Sequence, residues 1–225
     1  MKSVHIPAYA KVNLRLDVLG RRPDGYHELR TIFQTISLHD TLVLEKTREP
    51  GIDLRIAGNS QLAGEPGKDN LVYRALDQLA KELKVAHGVR AVLTKRIPVG
   101  RGMGGGSSDA AAALLGLLRL SGKRVDPARL LAIASGLGAD VPFFLHGGRA
   151  LGIGRGDEIY PLPDVRPRRH LLAVSPETIA VPTKDAYAWL SDSLSQRQEQ
   201  QLTNGDGPST LMPVSYTHLS CRRRG

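Results

Sequence analysis

The chain has 225 residues, 41% of them hydrophobic, and a formal net charge of +9. This length accommodates one large domain or one and a half, and the mixture of apolar and charged residues is typical of a soluble globular protein. No apolar run reaches the length of a membrane span, the first residues lack the apolar stretch of a signal peptide, and the single cysteine, Cys221, excludes a disulfide framework within the chain. We therefore expect a cytoplasmic protein that does not enter a membrane.

The excess of basic residues is scattered along the chain. Residues 213–225 contribute three arginines and no acid, and smaller basic clusters lie at 21–22 and 166–169. A basic chain can bind nucleic acid, but only 4% of the residues are aromatic and no long basic stripe is present. We expect no nucleic-acid partner. The charge equally suits an enzyme with a polyanionic small-molecule substrate, or a solvated surface.

Alternation of apolar and polar residues predicts strands in the first third of the chain. Residues 3–8 predict a short strand and residues 12–18 a second one, which a polar turn at 20–26 closes. β-branched and apolar residues predict one or two strands within 32–45, and a further strand is predicted at 52–56.

Helices and strands alternate in the middle of the chain. Apolar residues at a spacing of four predict a helix over 70–83, with Asp69 as its cap. A strand at 88–95 is followed by a glycine-rich loop and a helix over 108–120. Asp126 followed by proline predicts the start of another helix, which continues to about residue 135.

Apolar runs at 141–145 and 171–174 predict two buried strands, and residues 182–190 predict a helix. Strands and helices are mixed without a regular βαβ repeat, so we expect an α+β domain with a mixed or antiparallel sheet. After about residue 191 the chain becomes polar and then rich in Gly, Asn, Asp and Pro, so we expect its end to be loosely held or disordered.

The segment 98–108, PVGRGMGGGSS, is the most informative part of the chain. Its glycines permit positive φ angles and close approach of a ligand, and Ser107 or Ser108 can cap the following helix. A helix start directs N–H groups and a positive dipole end at one point, which suits a phosphate. The loop ends in Gly-Ser-Ser and so is not a Walker A loop. A dinucleotide-binding fingerprint would need an acid after a second strand, whereas Asp126 opens a helix; a simple glycine-rich turn is the remaining alternative.

Five other positions could carry chemistry, and four of them have a structural alternative. Lys11 and Asn13 share one face of a predicted strand, although Lys11 alone reads more simply as a surface lysine with a buried stem. Asp140 is either a cap or turn residue, or a partly buried functional acid. Tyr26 and His27 suit stacking on a flat ring and hydrogen bonding to its edge, or they only mark a turn before a strand.

Together these segments resemble the GHMP kinase superfamily, in order from about residue 5 to about residue 190. The matching segments are AKVNL at 10–14, RPDGYHEL at 22–29, the loop at 98–111 and GADVPFF at 138–144. The Pro-Asp-Gly-Tyr-His motif is similar to the subgroup that phosphorylates the 2-hydroxyl of a cytidine-diphosphate-linked methylerythritol in the non-mevalonate isoprenoid route. The resemblance implies an ATP-dependent, Mg2+-requiring phosphotransferase.

The resemblance also implies a role for each matching residue. Asp140 corresponds to the catalytic acid and Lys11 to its partner, so we expect Asp140 to take the proton of the substrate hydroxyl. The implied ATP-binding residues are Pro98, Val99, Gly100, Arg101, Gly102, Met103, Gly104, Gly105, Gly106, Ser107 and Ser108 in the loop, with Lys95, Asn70 and Leu71 around adenine. The implied substrate-binding residues are Asn13, Tyr26, His27 and Tyr187, and Ser108 is expected near Mg2+ and the β-phosphate.

The resemblance implies a two-domain fold. Residues 1–150 correspond to an N-terminal, ribosomal-protein-like α/β domain that binds ATP, residues 151–205 to part of a C-terminal α+β domain, and residues 206–225 to an atypical tail that we expect to be disordered. The superfamily's later Gly-Thr/Ser-Gly loop has only a poor match at 204–207. We therefore expect reduced stability and weak or no activity, and a monomer or weak homodimer.

Three alternatives stay open at this point. The first is a GHMP kinase for mevalonate, homoserine or a sugar, but these substrates have no base for Tyr26 and His27 to contact. A catalytically dead fragment would keep the fold without turnover. A basic RNA-binding module is the third, because related folds occur in translation proteins, but RNA binding needs no buried acid.

Overall fold

A six-stranded sheet and four helices make up the described part of the chain. The computed structural model describes residues 2–57, 67–167 and 169–174. The elements in chain order are β1 (Ser3–Arg21), β2 (His27–Thr47), β3 (Ile52–Ala57), α1 (Leu71–Glu82), β4 (Gly88–Thr94), α2 (Gly105–Ser121), α3 (Pro127–Leu137), α4 (Val141–His146), β5 (Arg149–Gly154) and β6 (Glu158–Leu162). The α+β class and the mixed sheet are both confirmed.

The 21-residue strand β2 organises the sheet. It pairs with β1 along almost its whole length in antiparallel fashion. On its other edge, residues 41–47 pair with β4 and residues 29–34 pair with β5, both antiparallel. β3 joins β4 in parallel and β6 joins β5 in antiparallel fashion. One strand thus connects the end of β4 that precedes the glycine-rich loop to the second half of β1.

The hydrophobic core lies between this sheet and the helices. Alternate residues of β1 and β2 are buried in one cluster with the apolar sides of α1 and α2, as strand periodicity requires. α2 lies so close to the sheet that a Cβ atom on Gly116 would come within 2.6 Å of Leu44 and 2.8 Å of Ile6. Gly116 therefore permits the close approach that fixes the height of α2 above the strands.

Several predicted boundaries differ from the structure. The predicted strands 3–8 and 12–18 are one strand, because shifts of register near Tyr9, Asn13 and Val18 interrupt the alternation without ending the pairing. The helix at 70–83 is confirmed as α1, but Asn70 rather than Asp69 caps it, accepting from Val72 N at 2.9 Å.

The start of α2 corrects another prediction. Neither Ser107 nor Ser108 caps it: Gly104 is the N-cap, with φ of +68°, and Ser108 N donates to Gly104 O at 2.9 Å. Both serines therefore lie within the first turn. Asp126 does cap α3, accepting from Arg129 N at 3.0 Å.

The predicted strand at 141–145 is wrong, since these residues form α4. A short buried apolar run has the same pattern in either element, and Pro142 suits a first helical turn. Residues 171–174 form no strand, and Leu172 and Val174 are exposed. Strands β5 and β6 had no predicted counterpart.

The predicted helix 182–190, Tyr187 and the tail 206–225 lie outside the described residues. β5 and β6 continue the sheet across residue 150, and the extents of the two predicted domains stay predictions. No helix in the described ranges is both long and apolar enough to cross a membrane.

Candidate active site

The glycine-rich loop connects β4 to α2 and forms one wall of a cleft of about 260 Å3. Gly100, Gly102 and Gly104 have φ angles of +69°, +70° and +68°, which side chains other than glycine rarely adopt. The predicted ATP-binding residues that line this cleft are Asn70, Leu71, Lys95 and every residue from Pro98 to Gly106. Ser107 and Ser108 do not line it; Ser108 is buried beside a smaller cavity of about 60 Å3 that Phe144 also lines.

A change of register between β1 and β2 lies where β1 meets the loop. The pairing changes register between Tyr9 and Lys11, and the extra residues lie on β2. Lys11 N donates to Met103 O in the loop at 3.0 Å, and the unpaired residue of β1, Ala10, packs with Ile97 and Met103. The hydrogen bond thus attaches β1 directly to the loop that lines the cleft.

Lys11 and Asp140 form an ion pair, with 3.4 Å between Lys11 Nζ and Asp140 Oδ2. The alternative interpretation of Lys11 as a surface lysine is wrong, since only 7% of the residue is exposed. Its ammonium group also donates to Asn13 Oδ1 at 2.7 Å and lies 5.4 Å from the centre of the Phe33 ring. Lys11, Asn13 and Asp140, which are 129 residues apart at the extremes, are brought together.

Asp140 occupies the N-cap position of α4, but its side chain makes no capping hydrogen bond. About one third of the side chain is exposed. Its carboxylate therefore faces Lys11 rather than its own helix, which favours the functional interpretation over that of a simple cap. An ionised carboxylate accepts hydrogen bonds only, so Asp140 is able to receive a proton from a bound alcohol.

Gly104 brings the loop against this pair. A Cβ atom at this position would lie 2.8 Å from the Phe144 ring and 3.1 Å from Lys11 Cγ. Any side chain there would push Lys11 or Phe144 aside. The glycine loop and the Lys11–Asp140 pair are therefore parts of one packed unit.

A buried charge cluster lies beneath the cleft and was missed by sequence reasoning. Lys95 Nζ forms ion pairs with Asp40 and with Asp109, the latter at 2.7 Å. Asp40 also accepts from the backbone N–H groups of Arg96 and Ile97. The cluster links the end of β4 to the second turn of α2. Asp109 directly follows the loop motif and was visible there, whereas Asp40 lies 55 residues from Lys95 and carries no local signal.

The charges of this cluster are strongly coupled. Burial raises the pKa of Asp109 to about 7, with Lys95 opposing the rise and Asp40 adding to it. Burial lowers the pKa of Lys95, but Asp109 and Asp40 outweigh this effect, so the pKa is raised overall. Asp109 Oδ1 is buried without a hydrogen-bond partner among the described residues. Lys95 therefore holds the two walls of the cleft together and stays charged.

Tyr26 and His27 lie at the hairpin between β1 and β2, at some distance from the Lys11–Asp140 pair. Along β1 the separation from Asn13 to Arg21 is at most roughly 26 Å. Tyr26 is 54% exposed, and the guanidinium of Arg155 lies 5.0 Å from its ring centre. His27 is half-buried, and burial together with the charge of Arg21 lowers its pKa, which favours the neutral ring. Tyr187 lies outside the described residues.

Comparison with known proteins shows which family this chain resembles. The sequence pattern of the GHMP kinases N terminal domain matches residues 70–148. A 4-diphosphocytidyl-2-C-methyl-D-erythritol kinase of Solibacter usitatus is 49% identical over 194 residues, which are 86% of this chain and 59% of that protein. A protein of the same name from Geobacter sp. (strain M21) is 43% identical over 97% of this chain and 72% of its own length. That alignment extends beyond residues 5–190, where the resemblance was expected.

Solved structures agree with the sequence comparison. A crystal structure of 4-(cytidine 5'-diphospho)-2C-methyl-D-erythritol kinase has a TM-score of 0.59 and 46% sequence identity, and the match covers 71% of this chain and 55% of that one. A homoserine kinase from Cytophaga hutchinsonii has the same TM-score at 20% identity, covering 84% and 60% of the two chains, and shows the fold alone.

The mixed sheet, the glycine loop before α2 and the matched domain define a GHMP kinase fold. At more than 40% identity over more than 70% of relatives' length, the chain belongs to the family of 4-diphosphocytidyl-2-C-methyl-D-erythritol kinases. The predicted resemblance is confirmed. The chain spans 59% of the length of the Solibacter relative.

Proposed function

We propose that this protein transfers the γ-phosphoryl group of ATP to the 2-hydroxyl of 4-diphosphocytidyl-2-C-methyl-D-erythritol. The observation that carries the proposal is the Lys11–Asp140 ion pair, which contacts the glycine loop through Lys11 N and Met103 O. A kinase acting on an alcohol needs a proton acceptor next to a phosphate-binding loop. The names of the relatives supply the particular substrate.

In this mechanism Asp140 accepts the proton of the attacking hydroxyl. Lys11 lies beside it, with its ammonium nitrogen 3.4 Å from the carboxylate. The same ammonium group can attract the oxygen on which negative charge develops during transfer. Because Lys11 is held by Asn13 and by the loop, the two groups need little reorganisation when the substrate binds.

The glycine loop would receive the phosphates of ATP. Its backbone at Gly100, Gly102 and Gly104 is already in the left-handed region, a conformation that occurs in loops whose N–H groups form anion-binding concavities. We propose that adenine lies in the part of the cleft lined by Asn70, Leu71 and Lys95.

Mg2+ would accompany ATP and neutralise charge on the phosphates. Among the described residues no group of three or more His, Cys, Asp or Glu side chains comes together as a metal site. Mg2+ usually keeps substrate phosphates and waters among its ligands and needs few protein oxygens. The hydroxyl of Ser108, in the first turn of α2 and beside the smaller cavity rather than the cleft, is the protein oxygen that we propose for it.

The cytidine end of the substrate would bind at the hairpin. Tyr26 offers an exposed aromatic face, and the neutral His27 ring both donates and accepts hydrogen bonds. An elongated diphosphate-linked substrate suits a recognition site that lies some distance along the sheet from the reacting hydroxyl. We propose Tyr187 as a further contact. We also propose a cytoplasmic monomer or weak homodimer that binds small molecules and neither nucleic acid nor membrane.

A ligand panel tests this proposal. Unfolding temperature is measured with ATP–Mg2+, cytidine diphosphate, mevalonate and a short RNA, because a ligand that binds the folded chain raises it. We expect shifts with the first two only. Transfer of 32P from labelled ATP is then measured with the cytidylyl alcohol and with mevalonate.

A matched pair of variants tests the cytidine site. Tyr26→Ala should abolish the shift with cytidine diphosphate, whereas Tyr160→Ala, which removes a tyrosine of similar exposure on β6, should retain it. Phosphorylation of mevalonate in preference to the cytidylyl alcohol, or a shift with RNA alone, would overturn the proposal.

A further inference from the structure

A chain of three hydrogen bonds runs from the candidate catalytic lysine into the sheet. Lys11 Nζ donates to Asn13 Oδ1 at 2.7 Å, Asn13 Nδ2 donates to Thr31 Oγ1 at 2.6 Å, and Thr31 Oγ1 donates to Arg15 O at 2.8 Å. Thr31 is 1% exposed. It lies on β2 and belongs to none of the motifs discussed above.

The direction of this chain is fixed by its two ends. A backbone carbonyl only accepts, so the proton of the Thr31 hydroxyl is directed to Arg15 O. The hydroxyl oxygen then faces Asn13 as an acceptor, which selects the NH2 group of the amide. At the other end an ammonium group only donates, so it selects the amide oxygen. Each bond is therefore compatible with just one orientation of the Asn13 amide.

The strand register explains why Thr31 reaches this position. β1 and β2 change register between Asn13 and Arg15, so that Leu14 is the extra residue. Such a bulge re-aims the side chains beside it. Here it brings the carbonyl of Arg15 and the amide of Asn13 to the same buried hydroxyl.

We propose that Thr31 is a positioning residue for phosphoryl transfer: its hydroxyl orients the Asn13 amide, which in turn holds the Lys11 ammonium beside Asp140. The catalytic consequence rests on the proposed function, whereas the orientation of the amide does not. Without the hydroxyl, the Asn13 NH2 group loses its acceptor. The amide then has no reason to keep its oxygen toward Lys11, and a rotated amide would direct donor against donor.

Three variants separate positioning from simple packing. Thr31→Val keeps the shape and removes the hydroxyl, and Thr31→Ser keeps the hydroxyl and removes a methyl group. Thr35→Val, on the same strand, removes a buried hydroxyl that has no hydrogen-bond partner among the described residues. We expect Thr31→Val to lower kcat by about tenfold or more with the KM for ATP unchanged. Thr31→Ser should recover most of this loss, and Thr35→Val should behave as the unaltered chain.

A nuclear magnetic resonance experiment tests the same three hydrogen bonds without requiring turnover. In the unaltered protein we expect a resolved Lys11 Nζ–Hζ signal and Asn13 side-chain protons that exchange slowly with solvent. Thr31→Val should lose the Lys11 signal, and Thr31→Ser should keep it. Absence of turnover in every form would count against the proposed function alone. Fast exchange of the Asn13 side chain in the unaltered protein, or equal kcat and Lys11 signals in Thr31→Val, would overturn the positioning role.

Discussion

Replacing Asp109 by Asn should flatten the dependence of stability on pH between about pH 4 and pH 7. Asp109 is buried between Lys95 and the core, and burial raises its pKa from 3.8 to about 7. In this pH range the unfolded chain has released the proton while the folded chain still holds it. The folded state therefore loses stability relative to the unfolded state as pH rises, and the loss levels off above the folded pKa.

The size of this effect follows from the two pKa values. A rise from 3.8 to about 7 corresponds to about 4 kcal/mol of folding free energy lost between pH 4 and neutral pH. The amide that Asp109→Asn introduces does not titrate, although its oxygen can still accept from Lys95. A constant difference in stability from the changed hydrogen bonding is expected in addition, but it has no slope with pH.

The assay is urea unfolding at half-unit intervals from pH 4 to pH 8, with EDTA and without nucleotide. Acids outside the cluster contribute equally to both proteins, so the quantity of interest is the difference between the two free energies of unfolding. From about pH 4 to pH 7 we expect the unaltered chain to lose several kcal/mol of stability relative to Asp109→Asn. Beyond about pH 8 the difference should be constant. Parallel curves over the whole range would refute the account of the buried cluster.

Two further substitutions test the packing around the site. Gly104→Ala places a Cβ atom 2.8 Å from the Phe144 ring, whereas Gly102→Ala, at nearly the same φ, meets nothing within 4 Å. We expect urea unfolding to show that Gly104→Ala is less stable than Gly102→Ala by about 2 kcal/mol. Equal losses of stability in the two variants would contradict this. Arg155→Ala removes the guanidinium that lies over the Tyr26 ring. We expect calorimetry to show about twofold to fivefold weaker binding of cytidine diphosphate with unchanged ATP binding, and unaltered binding would separate Arg155 from the proposed site.

The elements that were predicted correctly are those with an uninterrupted pattern. α1 shows apolar residues at a regular spacing, and α3 shows an acid and a proline at its start, so both are local signals. β1 was divided in two because its bulges break the alternation, although pairing with β2 continues. α4 was read as a strand because six residues are too few to establish a helical period.

The residues of the candidate site likewise divide into those that a local sequence pattern predicts and those that it does not. The glycine loop is a continuous segment, and its left-handed glycine conformations could be inferred directly. The local pattern around Lys11 predicted a surface residue, and only the resemblance paired it with Asp140. Lys11 is buried next to a change of strand register, and sequence periodicity does not reveal that change. Asp40 and Thr31 were not found, because their partners Lys95 and Asn13 are joined to them only by the register of the sheet.

The rate of phosphoryl transfer in Asp140→Asn tests the central claim most directly. With 32P-labelled ATP and the cytidylyl alcohol, we expect this variant to be about 10²–10⁴-fold slower than the unaltered chain, while its affinities for ATP and cytidine diphosphate are retained. Asp77→Asn, which removes an acid of similar exposure on α1, should transfer phosphate at the unaltered rate. Near-normal transfer by Asp140→Asn would contradict the assignment of Asp140 as the proton acceptor.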